Sequence, residues 1–484
     1  MTLPPRPAAG PGKAALQRHF TAHLPAPTAG SRPRAFVPGA LGCPGRGRRP
    51  AAPAEPPAPW GVALLDLTVA DVERIWVDLP FRPVPARNMV REIPHWTLFE
   101  VCRVRLACGV VGFGETMPYY TWRTVSDQAV ASAVGRNASE RMWDDGLGAG
   151  LQMALFDAVG RALGVPCHRL LGHRHRERAF VGWWAIDMPA EDWVAECTDA
   201  LAQGYTSFKT KARPWFDPVE QCAALAATLP PWFQVDLDFN GMLVNTAHAS
   251  RVLAELERFQ HVAIFESPLP QEDVQGNRFL RSQTRVPIAM HYGSPPILTA
   301  LREDVCDGFV IGGGASAVLR QAAVAAAADK VFWLQLVGTG ITATWALHLA
   351  AVLSHARWPA INCHQLYEHQ LIRPAMGVSG GLAAIPDGPG LGVELDPEAL
   401  ERHRIPARAK PYPHPGLLLA IRWPSGATSY YAHTQQYWDD FLGGRLPLFQ
   451  RGVRLERIPD DGTPAWRELQ RRAQAGGVHE GRPV

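Results

Sequence analysis

Between residues 180 and 363 the chain repeats one alternation, a short β-rich run followed in most cases by an Ala- and Leu-rich helical segment. The β-rich runs are 180–186, 207–211, 233–237, 263–265, 286–290, 308–311, 332–337 and 360–363, with helical text such as 219–228 and 315–327 between them. Eight strands at a step of roughly 20–30 residues is the βα rhythm of a closed parallel barrel. A doubly wound dinucleotide-binding sheet shows fewer strands and a glycine fingerprint after the first, which is missing here.

Upstream, residues 74–78 and 98–106 read as strands, and Gly109-Val-Val-Gly-Phe-Gly114 as a turn leading into a third. Residues 79–96 are too long for a hairpin loop and carry aromatic and charged side chains, the pattern of a functional flap. Leu151, Leu155, Ala158 and Ala162 follow helical spacing, Gly164 supplies the stop and Pro166 prevents continuation. Downstream, 417–423 and 429–437 read as aromatic strands of unclear role.

Composition limits what such a chain does. A hydrophobic fraction of 47% with 19% charged residues is globular, and no run approaches the ~18 apolar residues of a membrane span. The net charge of +3 is carried by residues 1–54, which hold eight basic side chains and no acid. That Pro- and Ala-rich stretch lacks the apolar periodicity to fold and the aromatics to stack on bases, so it reads as a disordered tail rather than a nucleic-acid arm. Eight scattered cysteines without a C-x-x-C pair, and an N-terminus without a signal-peptide core, give an expected cytoplasmic protein with reduced thiols.

Catalytic side chains of a βα barrel sit at the C-terminal ends of its strands. The second barrel strand ends Lys209-Thr210-Lys211, so both ammonium groups share a face, and two adjacent buried lysines are expected to lower each other's pKa. The third ends Asp238-Phe239-Asn240 and the fourth Glu266-Ser267-Pro268, a pair of carboxylates suited to a hard divalent cation.

These strand ends resemble the enolase superfamily, in its muconate-lactonizing-enzyme and mandelate-racemase branch. Further blocks carry the likeness: Met153-Ala-Leu-Phe-Asp-Ala-Val-Gly160, Gly164-Val-Pro166, Leu170-Leu-Gly172, Val286-Pro-Ile-Ala289, Ala346-Leu-His-Leu-Ala350 and Ile385-Pro-Asp-Gly-Pro-Gly-Leu-Gly392. The resemblance covers about residues 70–400. It implies an α/β fold, a modified TIM barrel of the (β/α)7β kind with an N-terminal α+β capping domain. The organisation expected is a tail over 1–62, the cap over 63–178, the barrel over 179–380, a segment 381–405 returning to the cap, and an extension over 406–484. The resemblance also implies a divalent metal, usually magnesium, and abstraction of the proton α to a carboxylate of a small acid. By matching position Lys211 would be the base, Lys209 its electrostatic helper, Asp238 and Glu266 metal ligands, and Asn240 a nearby polar group. Association of identical copies is a further expectation; neither a membrane nor a nucleic acid is an expected partner.

The departures shape the reaction. Where a third carboxylate ligand is expected the chain has Met290-His291-Tyr292, which leaves His291 as either a ligand or a core histidine. As a ligand it would favour manganese or another transition metal over magnesium. Tyr292 reads as wall. The sixth strand ends Val310-Ile311-Gly312-Gly313 instead of a second base, the seventh offers Gln335, and the eighth Asn362-Cys363-His364. Cys363, His364, Glu368 and His369 miss the H-x-x-E-H spacing of a zinc site. Tyr119, Tyr120 and Trp122 lie where a cap loop would touch substrate, or else pack the domain interface. A base on one face favours a sugar-acid or hydroxy-acid dehydratase or a cycloisomerase. The alternatives are a racemase or epimerase, or a catalytically impaired barrel that binds ligand.

Overall fold

The computed structural model describes residues 65–121, 123–406 and 416–481. The expected tail and Trp122 lie outside the described residues. Among those described, no helix is long and apolar enough to cross a membrane.

Three antiparallel strands, β1 (Val69–Asp78), β2 (Leu98–Leu106) and β3 (Val111–Thr116), open the ordered chain, and Arg404–Ile405 returns to pair with β1. The helix Ala149–Leu163 lies across β3. The glycines of the Gly112-Phe113-Gly114 motif set that approach, because a Cβ at either position would penetrate the helix backbone at Ala154 and Ala158 or at Gly150. Gly164 ends the helix in the left-handed region at φ 67°, as its sequence position suggested. The stretch 79–96 is not a loose flap. It contains the helix Pro83–Glu92, which starts on a proline that lacks the N–H a helix start leaves unpaired.

The barrel strands follow in order: β4 (Arg178–Ala185), β5 (Ser207–Lys211), β6 (Gln234–Asp238), β7 (Val262–Glu266), β8 (Ile288–His291), β9 (Gly308–Ile311), β10 (Val331–Leu334) and β11 (Ala360–Ile361). Each pairs in parallel with the next from β4 to β10, β11 pairs in parallel with β4, and a parallel bridge between Gln335 and Ile361 joins the two ends. A curled parallel sheet closed in this way is the modified TIM barrel expected. Leu382–Ala384 adds an antiparallel strand beside β4.

Among the contacts that join the cap to the barrel is one buried carboxylate. Glu115, at the end of β3, accepts hydrogen bonds from the backbone N–H groups of Thr339 (2.6 Å) and Thr342 (2.9 Å) and from the Thr339 hydroxyl (2.7 Å). These are orphan donors at the N-terminus of the helix Gly340–Val352, where negative charge is favoured.

After residue 415 the chain forms a four-stranded antiparallel sheet in the order 454–457, 419–422, 428–431, 478–480. The stretch 429–437 departs from the expected strand. The strand stops at Tyr431 and the helix Thr434–Leu442 begins, burying Tyr437, Trp438 and Phe441 on one face. Their i, i+1, i+4 spacing is helical, and Gln436 completes a capping box with His433. This face shares a core with Trp215, Phe216 and Met242 from the barrel loops.

Candidate active site

Lys209 and Lys211 alternate with Thr210 along β5, so both ammonium groups enter the barrel. Lys211 is the register partner of Asp238, and Asp238 that of Glu266. Three consecutive strands therefore bring two lysines and two carboxylates together, each at most 6% exposed.

Burying four ionised groups is tolerated only if they pair. Lys211 Nζ lies 2.5 Å from Asp238 Oδ2 and 3.1 Å from Asn240 Oδ1. Lys209 Nζ contacts Glu266, stands 3.9 Å from Asp238 Oδ2, donates to Gln335 Oε1 at 2.8 Å, and sits 4.8 Å above the Trp333 ring. Gln335 in turn donates to the Tyr120 hydroxyl at 2.8 Å.

The two lysines titrate in opposite directions. Burial lowers the Lys211 pKa below the usual lysine value, with Lys209 and Arg213 adding to the shift against the opposition of Asp238. For Lys209 burial also acts downward, but Glu266 and Asp238 outweigh it and hold the pKa above the ordinary value. Mutual lowering, expected from the sequence, is thus confined to Lys211. Burial alone would raise the pKa of Glu266, yet Lys209, His291 and Lys211 keep it below the usual carboxylate range.

His291 ends β8 with Nε2 3.1 Å from Glu266 Oε1. Among the described residues no three His, Cys, Asp or Glu side chains are grouped to hold an ion. The ammonium groups of Lys209 and Lys211 lie against the carboxylates instead, and the imidazole reaches only one of them.

Above these groups opens a cavity of about 670 Å³ whose wall includes Lys211, Asn240, His291, Gln335, Tyr120 and Trp184. Tyr292 lines a smaller space of about 130 Å³ beside Gly312 and Gly313. Lys209, Asp238 and Glu266 are buried without lining either cavity, and the expected residues Tyr119 and His364 line neither. Tyr119 packs edge-on against His95 with ring centroids 5.4 Å apart. His364 is buried with Nε2 2.9 Å from the Tyr205 hydroxyl, where desolvation lowers its pKa to about 4. The short helix His364–Leu366 withdraws it from the mouth.

Two neighbours went unread in the sequence although the strand period marks them. Arg213 stands two residues beyond Lys211 and donates to Asn240 Oδ1 at 2.7 Å. Asp236 stands two before Asp238, opposite Lys209, and burial raises its pKa to about 7.

Residues 192–399 match the family described as Enolase C-terminal domain-like. Over 283 residues the chain is 27% identical to D-galactonate dehydratase of Xanthomonas axonopodis pv. citri (strain 306), covering 52% of this chain and 72% of that protein. It is also 27% identical over 264 residues to N-succinylamino acid racemase of Thermus thermophilus, covering 52% and 69%. The fold is similar to that of the muconate lactonizing enzyme from Pseudomonas fluorescens solved with muconolactone. That likeness has a TM-score of 0.58 at 23% identity, over 70% of this chain and all of the other.

Proposed function

We propose that this chain, which belongs to the enolase superfamily in its muconate-lactonizing-enzyme and mandelate-racemase branch, takes the proton α to the carboxylate of a small acid with Lys211 as the base. The chain is an enzyme of that superfamily. The observation that carries the assignment is the pairing of Lys211 with Asp238 at the floor of the 670 Å³ cavity. A buried amine with a lowered pKa is closer to the range in which it can take up a proton near neutral pH. Asn240 holds the Lys211 ammonium and is itself held by Arg213, so the base has a fixed direction. Lys209 keeps its charge and supplies a cation beside the developing enediolate.

Superfamily members use a divalent metal, generally magnesium. The residues that suit one here are Asp238 and Glu266. Both Glu266 oxygens are buried and receive no well-aimed hydrogen bond, only contact with charged or ionisable neighbours. A bound cation would supply positive charge toward the substrate carboxylate.

Opposite Lys211 the ends of β9 and β10 lead to Gly312 and Gln335, neither of which is a base. A single base supports β-elimination or cycloisomerisation with fewer parts than racemisation, which needs proton transfer on both faces. The test is incubation of a library of carboxylic acids in deuterium oxide with the enzyme. Deuterium entering an α-position at an enzyme-dependent rate supports the reading, and a library in which no acid exchanges defeats it.

A further inference from the structure

The cavity over the site has a wall that comes from neither barrel nor cap. Trp438, Phe441, Leu442, Leu446 and Leu448, all from the segment after residue 415, line it opposite the polar floor. Their side chains offer no acceptor and, the Trp438 ring N–H aside, no donor. Met242, Val244 and Leu269 extend the same apolar surface from the barrel loops.

This wall is fixed in place by a buried network. The Arg91 guanidinium, 5% exposed, donates to the Tyr437 hydroxyl at 2.7 Å and pairs with Glu92 at 2.7 Å and Asp187 at 3.0 Å. The Thr434 hydroxyl donates to the Arg91 carbonyl at 2.7 Å. Trp215 donates its ring N–H to Asp187 at 2.7 Å and packs 5.3 Å from Trp438. Trp438 also stacks on the Arg213 guanidinium at 5.0 Å, so the wall reaches the group that holds Asn240 beside Lys211.

We infer that residues 438–448 form the specificity wall of the site, and that its substrate is an acid bearing an aryl or branched alkyl group several bonds from the carboxylate. The inference rests on the α-proton reading above. A polyhydroxylated acid reaching this wall would strip water from its hydroxyls and find almost no partner in exchange, whereas an apolar group gains by leaving water. A cavity of about 670 Å³ also exceeds what a short hydroxy acid fills.

The experiment compares 2-hydroxy-4-phenylbutanoate and N-acetylphenylalanine with mannonate and xylonate. Deuterium exchange at the α-carbon and equilibrium binding by calorimetry are measured for wild type, Leu442→Asp and Phe441→Ala. Leu442 is half-exposed, so Leu442→Asp should leave folding intact. The expected result is exchange with the phenyl acids, and a KM at least tenfold higher in Leu442→Asp with kcat within about threefold. Exchange confined to the polyhydroxylated acids, or a KM for the phenyl acids unmoved in both variants, overturns the wall and leaves the base assignment standing. Phenyl acids that bind wild type more tightly than Leu442→Asp yet never exchange would keep the wall and remove the reaction. Neither binding nor exchange with any of the four acids overturns the wall's stated substrate class.

Discussion

Lys211 and Asp238 face each other across adjacent parallel strands, with the ammonium nitrogen 2.5 Å from the carboxylate oxygen. The pair holds the amine at the cavity floor while burial weakens its hold on the proton. Lys211→Ala should reduce α-deuterium exchange by about a thousandfold or more, since it removes the proposed base. Circular dichroism should still show a folded protein, with a lowered melting temperature, because buried Asp238 loses its close cation and keeps only Lys209 at 3.9 Å. Exchange at close to the wild-type rate would remove Lys211 from the mechanism.

Cation binding is readable by calorimetric titration with magnesium and manganese. Asp238→Asn and Glu266→Gln should each weaken binding by about tenfold or more, because hard cations depend on charged oxygen donors. His291→Asp should shift preference toward magnesium, by placing a carboxylate where an imidazole now contacts Glu266. An unchanged magnesium-to-manganese ratio in His291→Asp would mark residue 291 as wall.

Glu115 gathers three hydrogen bonds at the start of the helix Gly340–Val352. Glu115→Ala leaves those buried donors without an acceptor and should cost about 2–4 kcal/mol of stability. Glu115→Gln, which keeps one accepting oxygen, should cost less. Urea melts of the three proteins rank them, and equal midpoints would contradict the clamp.

Acid should loosen the fold through two buried histidines. Burial lowers His348 and His364 to about 4 each, so folding favours their neutral forms. The stability they contribute is complete above the unfolded value near 6.5 and is lost as pH falls toward 4. Between pH 7 and pH 5 each should account for about 2 kcal/mol. His364→Gln should flatten the pH dependence of the urea midpoint across that interval, and an unchanged slope would refute the assignment.

The network around Arg91 makes its own prediction. Arg91→Met strands Glu92 and Asp187 as buried, undercompensated acids and should cost about 3–5 kcal/mol. Tyr437→Phe removes two hydrogen bonds, the one accepted from Arg91 and the one donated to the Thr434 hydroxyl at 3.1 Å, and should cost about 1–3 kcal/mol. Limited proteolysis should release the segment after residue 415 faster from Arg91→Met than from wild type, and equal protection would mean that other contacts hold the extension.

What could be read in the sequence follows from how each part is buried. The bounds of β9 match its β-rich run because a strand covered on both faces is written in apolar and branched residues between turn signals. The strand ends were legible because period two puts Lys209 with Lys211 on one face. The same rule applied one step further points to Arg213, two residues beyond Lys211, and to Asp236, in the middle of β6. The opposite pKa directions of the lysines could not be read, since Glu266 lies 57 positions from Lys209 and only the closed barrel brings them into contact. His364 misled for the reverse reason. Its place after the last strand suggested the mouth, but the short helix that follows turns it inward toward Tyr205. The helix Thr434–Leu442 was hidden by aromatic residues whose β propensity masked a helical spacing.

The hydrogen bond between Arg91 and Tyr437 spans 346 positions of the chain. During synthesis, Arg91 and its helix emerge first and the barrel strands next, and β4 waits for β11 before the ring can close. The helix that carries Trp438 and Phe441 is delivered only after the ring is complete. On the reading proposed above, the wall that sets selectivity is made after every barrel strand, and a chain stopped just short of residue 438 would keep Lys211, Asp238 and Glu266 without it.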